Sequence, residues 1–133
     1  MKKILALLGS LVSFATASAG DVATIAPQEA DRLVKEGKAV LVDVREADEW
    51  AATGVAAPAE LLPKSDFDGA QKKWNGFLAG VAGKEIILYC RSGYRAGVVG
   101  AALADQGFKV ANAGGFKDWA DAGLPVRKVT APK

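Results

Sequence analysis

The chain has no histidine and only one cysteine among its 133 residues. Without histidine, neither a Ser-His nor a Cys-His catalytic pair can be assembled, and histidine metal sites are excluded. A single cysteine rules out an intrachain disulfide and any cysteine-rich zinc or iron–sulfur site. Long apolar runs are also missing. The best candidate, residues 4–14, is broken by Gly9, Ser10 and Ser13 and falls short of the roughly 20 apolar residues that span a bilayer.

That stretch reads instead as the middle of an export signal. Lys2 and Lys3 precede it, and Ala17-Ser18-Ala19 follows as the small-x-small pattern of a cleavage site. The expectation is a cleaved leader over residues 1–19, a periplasmic protein, and one domain over residues 20–133. Net charge is absent once the leader is removed. Of the 17 basic residues two lie in the leader, which leaves 15 against 15 acidic ones. A neutral domain lacks the clustered cations of phosphate-backbone binding, so nucleic acid is not an expected partner. No stable membrane association is expected after cleavage.

What remains alternates between strand and helix patterns. Residues 27–36, PQEADRLVKE, place Ala30, Leu33 and Val34 on one helical face, with Pro27 at the start and Gly37 at the stop. AVLVDV, residues 39–44, is a β-branched run of the kind buried in parallel sheets. Phe67, Ala70, Trp74, Phe77 and Leu78 predict a single helix from Asp66 to Ala79, after a loop containing Gly54, Pro58 and Pro63. EIILYC (85–90) reads as a second strand, RAGVVGAALADQG (95–107) as a helix, FKVANAGG (108–115) as a third strand and FKDWADAG (116–123) as a short helix. The order is βα repeated, which argues for a parallel sheet with helices on both faces.

The lone cysteine stands where such folds bind ligands, at the carboxyl end of a strand and before a helix. In YCRSGYRAG (89–97), Gly93 permits a sharp turn, successive N–H groups can cradle an anion, and Arg91 and Arg95 add positive charge. All of these favour a thiolate at Cys90. The alternative is an inert cysteine closing a buried strand, since free cysteine is among the most buried residue types.

YCRSGYRAG resembles the active-site loop of rhodanese-family sulfurtransferases. LVDVREADEW (41–50) and NAGGFKDWADAGLPV (112–126) are similar to further stretches of that family, in the same order. The resemblance spans about residues 22–128. It implies a rhodanese-like α/β fold with a five-stranded parallel sheet flanked by helices on both faces. It also implies a reaction: the Cys90 thiolate takes the outer sulfur of thiosulfate or a related anionic donor, holds it as a persulfide and passes it to cyanide or a thiol.

Carried over position by position, Cys90 is the nucleophile. Arg91, Ser92, Gly93, Tyr94 and Arg95 surround the donor, and Asp43 and Arg45 support the site. No metal or other cofactor is implied, and a monomer is expected. The sequence departs from the family at Val55, where the turn after the acidic stretch usually carries histidine. Two other readings stay open: a persulfide carrier with little turnover, and a cysteine phosphatase or arsenate reductase. Phosphatase loops hold five residues between cysteine and arginine; here Cys90 and Arg95 enclose four, and Ala96 occupies the phosphatase arginine's place.

Overall fold

The computed structural model describes residues 22–130; the leader expected over residues 1–19 lies outside them. Thirteen elements follow one another: β1 (Ala23–Thr24), α1 (Pro27–Lys35), β2 (Ala39–Asp43), α2 (Ala47–Thr53), β3 (Val55–Ala56), β4 (Glu60–Leu61), α3 (Lys64–Asp68), α4 (Lys72–Ala79), β5 (Glu85–Cys90), α5 (Tyr94–Asp105), β6 (Val110–Gly115), α6 (Phe116–Asp121) and β7 (Val126–Arg127). Five strands form one sheet in the order β1-β6-β5-β2-β4, and every neighbouring pair is parallel. The chain thus has the expected α/β architecture with a five-stranded parallel sheet.

The two-residue period of a strand sorts side chains to opposite faces, and the two central strands show it. Val42, Val44, Ile86, Leu88 and Cys90 point to one face, where Trp74 of α4 and Ala96, Val99 and Leu103 of α5 cover them. Leu41, Ile87 and Tyr89 point to the other, under Ala30 of α1 and Trp119 of α6. Both faces are dry, so both phases of β2 and β5 are apolar and the strands read as continuous runs.

The helix expected over residues 66–79 is two helices. Asp66, within α3, turns its carboxylate back to accept the N–H groups of Lys72, Lys73 and Trp74 at 2.9, 2.9 and 3.0 Å. This caps α4 from outside it, and Gln71 takes a left-handed conformation (φ 56°) to make the corner. The apolar spacing survived the break because α3 and α4 pack on the same face. Phe67 and Phe77 meet Trp74 edge-on, at centroid distances of 5.1 and 5.7 Å.

Helix α2 had no periodic signal, since Trp50 is its one buried residue. It is held instead at its first turn by Glu49, whose carboxylate accepts the Glu46 N–H at 3.2 Å while its own N–H donates to the Glu46 backbone carbonyl at 3.0 Å. Val55, at the family's usual histidine position, is fully buried in β3, which pairs antiparallel with β7 as a separate two-stranded sheet.

Trp74 is completely buried and its indole N–H donates to the Pro63 carbonyl at 3.1 Å. Trp74→Ala is expected to cost about 3–5 kcal/mol, because the α3–α4 corner cannot collapse into the cavity. Chemical denaturation would show this as a lower midpoint at an unchanged slope.

Candidate functional site

Cys90 ends β5, where the ladder to β6 is irregular between Leu88 and Cys90. Its side chain is 1% exposed. The chain then bends through Arg91 and Ser92 to Gly93, the N-cap of α5, at φ +100°. That left-handed conformation is one that L side chains seldom adopt. It turns the Gly93 N–H back onto the Cys90 Sγ at 3.0 Å. The N–H groups of Ser92, Tyr94 and Arg95 find no acceptor among the described residues, as expected at the opening of a helix. The sulfur therefore accepts one backbone N–H directly, in a loop that leaves three further amides without an acceptor among the described residues.

The loop is braced from β6. Asn112 donates its Nδ2 to the Gly93 carbonyl and accepts the Gly114 N–H at its Oδ1, both at 2.9 Å. Gly115 passes so close that a Cβ there would stand 2.2 Å from the Arg91 carbonyl oxygen. Asn112 and Gly115 were read only as parts of a strand and of a structural segment. The signal for Asn112 was an amide side chain in an otherwise apolar strand, which must find partners when the strand is enclosed.

The other expected residues divide. Arg91 and Ser92 are exposed, and Tyr94 is 77% exposed, so all three stand around the loop rather than under it. Arg95 was expected to add free positive charge. Instead its guanidinium meets the Glu49 carboxylate in a two-pronged pair, at 2.6 and 2.8 Å. The hydrogen bonds from Arg95 outweigh partial burial and hold the Glu49 carboxyl at about 2, from an ordinary 4.5. Glu46, next in this network, accepts the Ser65 hydroxyl at 2.6 Å and the Ser65 N–H at 3.0 Å. Glu49 was not among the expected site residues, because 46 positions separate it from Arg95.

Asp43 and Arg45 lie across the sheet plane from Cys90, on the Tyr89 side, and both are buried. The Arg45 Nε and Nη2 donate to the Asp43 carboxylate at 2.9–3.1 Å, Nη1 to Thr53 Oγ1 at 2.9 Å and Nη2 also to the Gly54 carbonyl at 2.9 Å. The guanidinium carbon stands 4.7 Å from the Phe116 ring centre. Burial opposes this charge, and the Asp43 carboxylate more than offsets it, which leaves the Arg45 pKa above its ordinary value. The neighbouring Tyr89 hydroxyl accepts the Ala56 N–H at 2.9 Å, and burial drives its pKa well upward. The pair thus ties β2 to the end of α2 and the start of α6; it touches neither Cys90 nor its loop.

Comparison with known proteins agrees with the fold. The family model described as "Rhodanese-like domain" matches residues 26–122. An uncharacterised protein of Synechocystis is 34% identical over 107 residues, 79% of this chain and 56% of that protein, so the chain spans about half the length of that relative. Among solved structures, the polysulfide-sulfur transferase homodimer of Wolinella succinogenes has a TM-score of 0.67 and 26% identity, covering 84% of this chain and 82% of that one. The reduced CoADR-RHD protein of Bacillus anthracis has a TM-score of 0.66 and 29% identity, covering 80% of this chain and 18% of that one. A Rhodopseudomonas palustris protein of unknown function, described as a possible tyrosine phosphatase, has a TM-score of 0.65 and 27% identity, covering 80% and 85%.

Two glycine substitutions are expected to act in opposite directions. Gly115→Ala drives a Cβ into the Arg91 carbonyl and is expected to destabilise by about 1–3 kcal/mol. Gly76→Ala, where a Cβ meets nothing within 4 Å inside α4, should stabilise by about 0.5–1 kcal/mol. Thermal melts of the two variants check both signs. Because the Glu49 carboxyl titrates lower when folded than when unfolded, its contribution is complete above pH 4.5 and is lost as pH falls toward 2. The stability advantage of the native protein over Glu49→Gln should be flat above pH 4.5 and shrink below it in acid denaturation.

Proposed function

The chain belongs to the rhodanese-like domain family, and from that premise we propose that it is a sulfurtransferase working through a persulfide on Cys90. The observation that carries this is the 3.0 Å approach of the Gly93 N–H to Sγ, in a loop whose next amides are also free of acceptors among the described residues. Such a cradle favours negative charge on sulfur, both on the attacking thiolate and on the persulfide that replaces it. It needs no histidine.

In the first half-reaction the Cys90 thiolate attacks the outer sulfur of thiosulfate or a related sulfane donor. A bond forms between Sγ and that sulfur, the donor's sulfur–sulfur bond breaks, and its electron pair leaves with sulfite. In the second, cyanide or a thiol attacks the outer sulfur of the persulfide and the electron pair returns to Sγ as thiolate. With cyanide the product is thiocyanate. The two steps share one site and alternate, which gives ping-pong kinetics. The acting residues are Cys90 as nucleophile and Gly93, Tyr94 and Arg95 through their amides. Ser92 and Arg91 stand at the rim, and Asp43 and Arg45 hold the scaffold. As read from the leader, the protein works in the periplasm.

A phosphatase reading is disfavoured by two features. Ala96, where a phosphatase arginine would stand, is fully buried in the core, and Arg95 is already occupied by Glu49. The recessed sulfur under a short loop suits transfer of a single atom better than enclosure of a tetrahedral phosphate.

Protein given thiosulfate and cyanide should form thiocyanate with ping-pong kinetics, and Cys90→Ser should reduce it to background. An aryl phosphate under the same conditions should release no phosphate. Phosphate release without thiocyanate would overturn the assignment, and a Cys90 adduct of one sulfur atom without turnover would identify a carrier instead.

A further inference from the structure

The charges around the cysteine loop set which donor it favours. Two cations belong to the loop region, Arg91 and Arg95. The Arg95 guanidinium is taken up by both oxygens of the Glu49 carboxylate at 2.6 and 2.8 Å, in a partly buried pair. The two-pronged ion pair commits two of the five guanidinium N–H donors and offsets the Arg95 charge, which weakens its pull on an anionic donor. Glu46, adjacent in the same network, accepts from the uncharged Ser65 and pairs with no cation among the described residues. On the opposite flank, Asp118 accepts the Gly115 N–H at 2.9 Å and borders the hollow that Ser92 and Gly93 line. Against the positive charges of Arg91 and Arg95 stand three carboxylates, those of Glu46, Glu49 and Asp118. These carboxylates offset the loop's cations, and the attraction left for an anion is that of the backbone amides and of Arg91 at the rim.

Backbone amides stabilise charge on the transferred sulfur, which every sulfane donor shares. They do nothing for the second charge that thiosulfate carries on its sulfonate group. Resting on the sulfurtransferase reading above, we propose that Glu49 is the donor-specificity residue of this site: by occupying Arg95 it favours singly charged sulfane donors, organic persulfides and thiosulfonates, over dianionic thiosulfate. Glu49 touches no reacting atom. It acts through Arg95, as a positioning residue. Specificity of this kind is a difference between two affinities, set here by withholding a cation rather than by adding a contact.

Methanethiosulfonate isolates the effect, because it presents the same terminal sulfur with one charge fewer. Loading is the same displacement: the Sγ–sulfur bond forms, the donor's sulfur–sulfur bond breaks, and methanesulfinate leaves with the electron pair in place of sulfite. Time-resolved intact-mass measurement of Cys90 loading, at low ionic strength and without acceptor, gives a rate constant for each donor. Comparing the ratio of the two between variants cancels their intrinsic reactivities.

Glu49→Gln keeps an acceptor for the Glu46 amide and frees the Arg95 charge. It should raise the thiosulfate-to-methanethiosulfonate ratio about fivefold, with added salt erasing the gain. In steady state that gain should appear mainly in KM for thiosulfate. Arg95→Met leaves the Glu49 charge uncompensated and should move the ratio the other way, so the proposal stays testable if one variant fails to fold. Loading from both donors with an unchanged ratio in both variants would overturn the role of Glu49 and leave the sulfurtransferase reading intact. Loading of the native protein from neither donor would overturn both.

Discussion

The site depends on the contact between the Gly93 N–H and the Cys90 sulfur, 3.0 Å apart across a turn that glycine makes at φ +100°. That turn brings the Gly93 amide onto the sulfur, and it starts α5, the helix that covers Cys90, Ile86 and Leu88. The bend is not self-supporting. Asn112 grips the Gly93 carbonyl, and Gly115 makes room for the Arg91 carbonyl. A single backbone path therefore links the end of β6 to the geometry around one sulfur atom. Preorganised donors of this sort need no rearrangement when charge moves onto the sulfur, which is their advantage over mobile side chains.

Charged side chains serve mostly to hold elements together around that path. Arg45 spends its donors on Asp43, Thr53 and Gly54 and lies against Phe116, all on the side of the sheet away from Cys90. A buried pair of this kind loses more if one partner is removed than it contributes as a pair, since the remaining charge has nowhere to go. Arg95 and Glu49 do for α5 and α2 what Arg45 and Asp43 do for β2 and its neighbours. The catalytic loop is left with amides and one rim arginine, Arg91, as its means of attracting a donor.

Much of this was legible in the sequence, for identifiable reasons. Strands β2 and β5 are buried on both faces, so AVLVD and EIILYC announce themselves as apolar runs. The cysteine loop was legible because its parts are contiguous: strand end, turn glycine and helix start fall within six residues. Helix α2 was not legible, since its cap of Glu46 and Glu49 supports it where an apolar stripe is missing. The α3–α4 corner was hidden because its two helices share one apolar face and the break is made by the Asp66 carboxylate reaching eight positions ahead. Arg95 was misjudged for the same reason that Glu49 was missed: an ion pair between distant positions leaves no trace in local spacing. Asn112 is the milder case, visible as a residue but without its partners.

The family match places the chain among rhodanese-like domains, and the sulfur chemistry is argued from the loop. The central claim is that backbone amides, rather than a side-chain cation, hold the transferred sulfur. A crystal structure of the protein treated with thiosulfate or methanethiosulfonate tests it directly. The account predicts one extra sulfur on Cys90, within hydrogen-bonding distance of the Tyr94 and Arg95 amides, with Arg95 still paired to Glu49. An unmodified Cys90, or an added sulfur directed at a guanidinium released from Glu49, would contradict it.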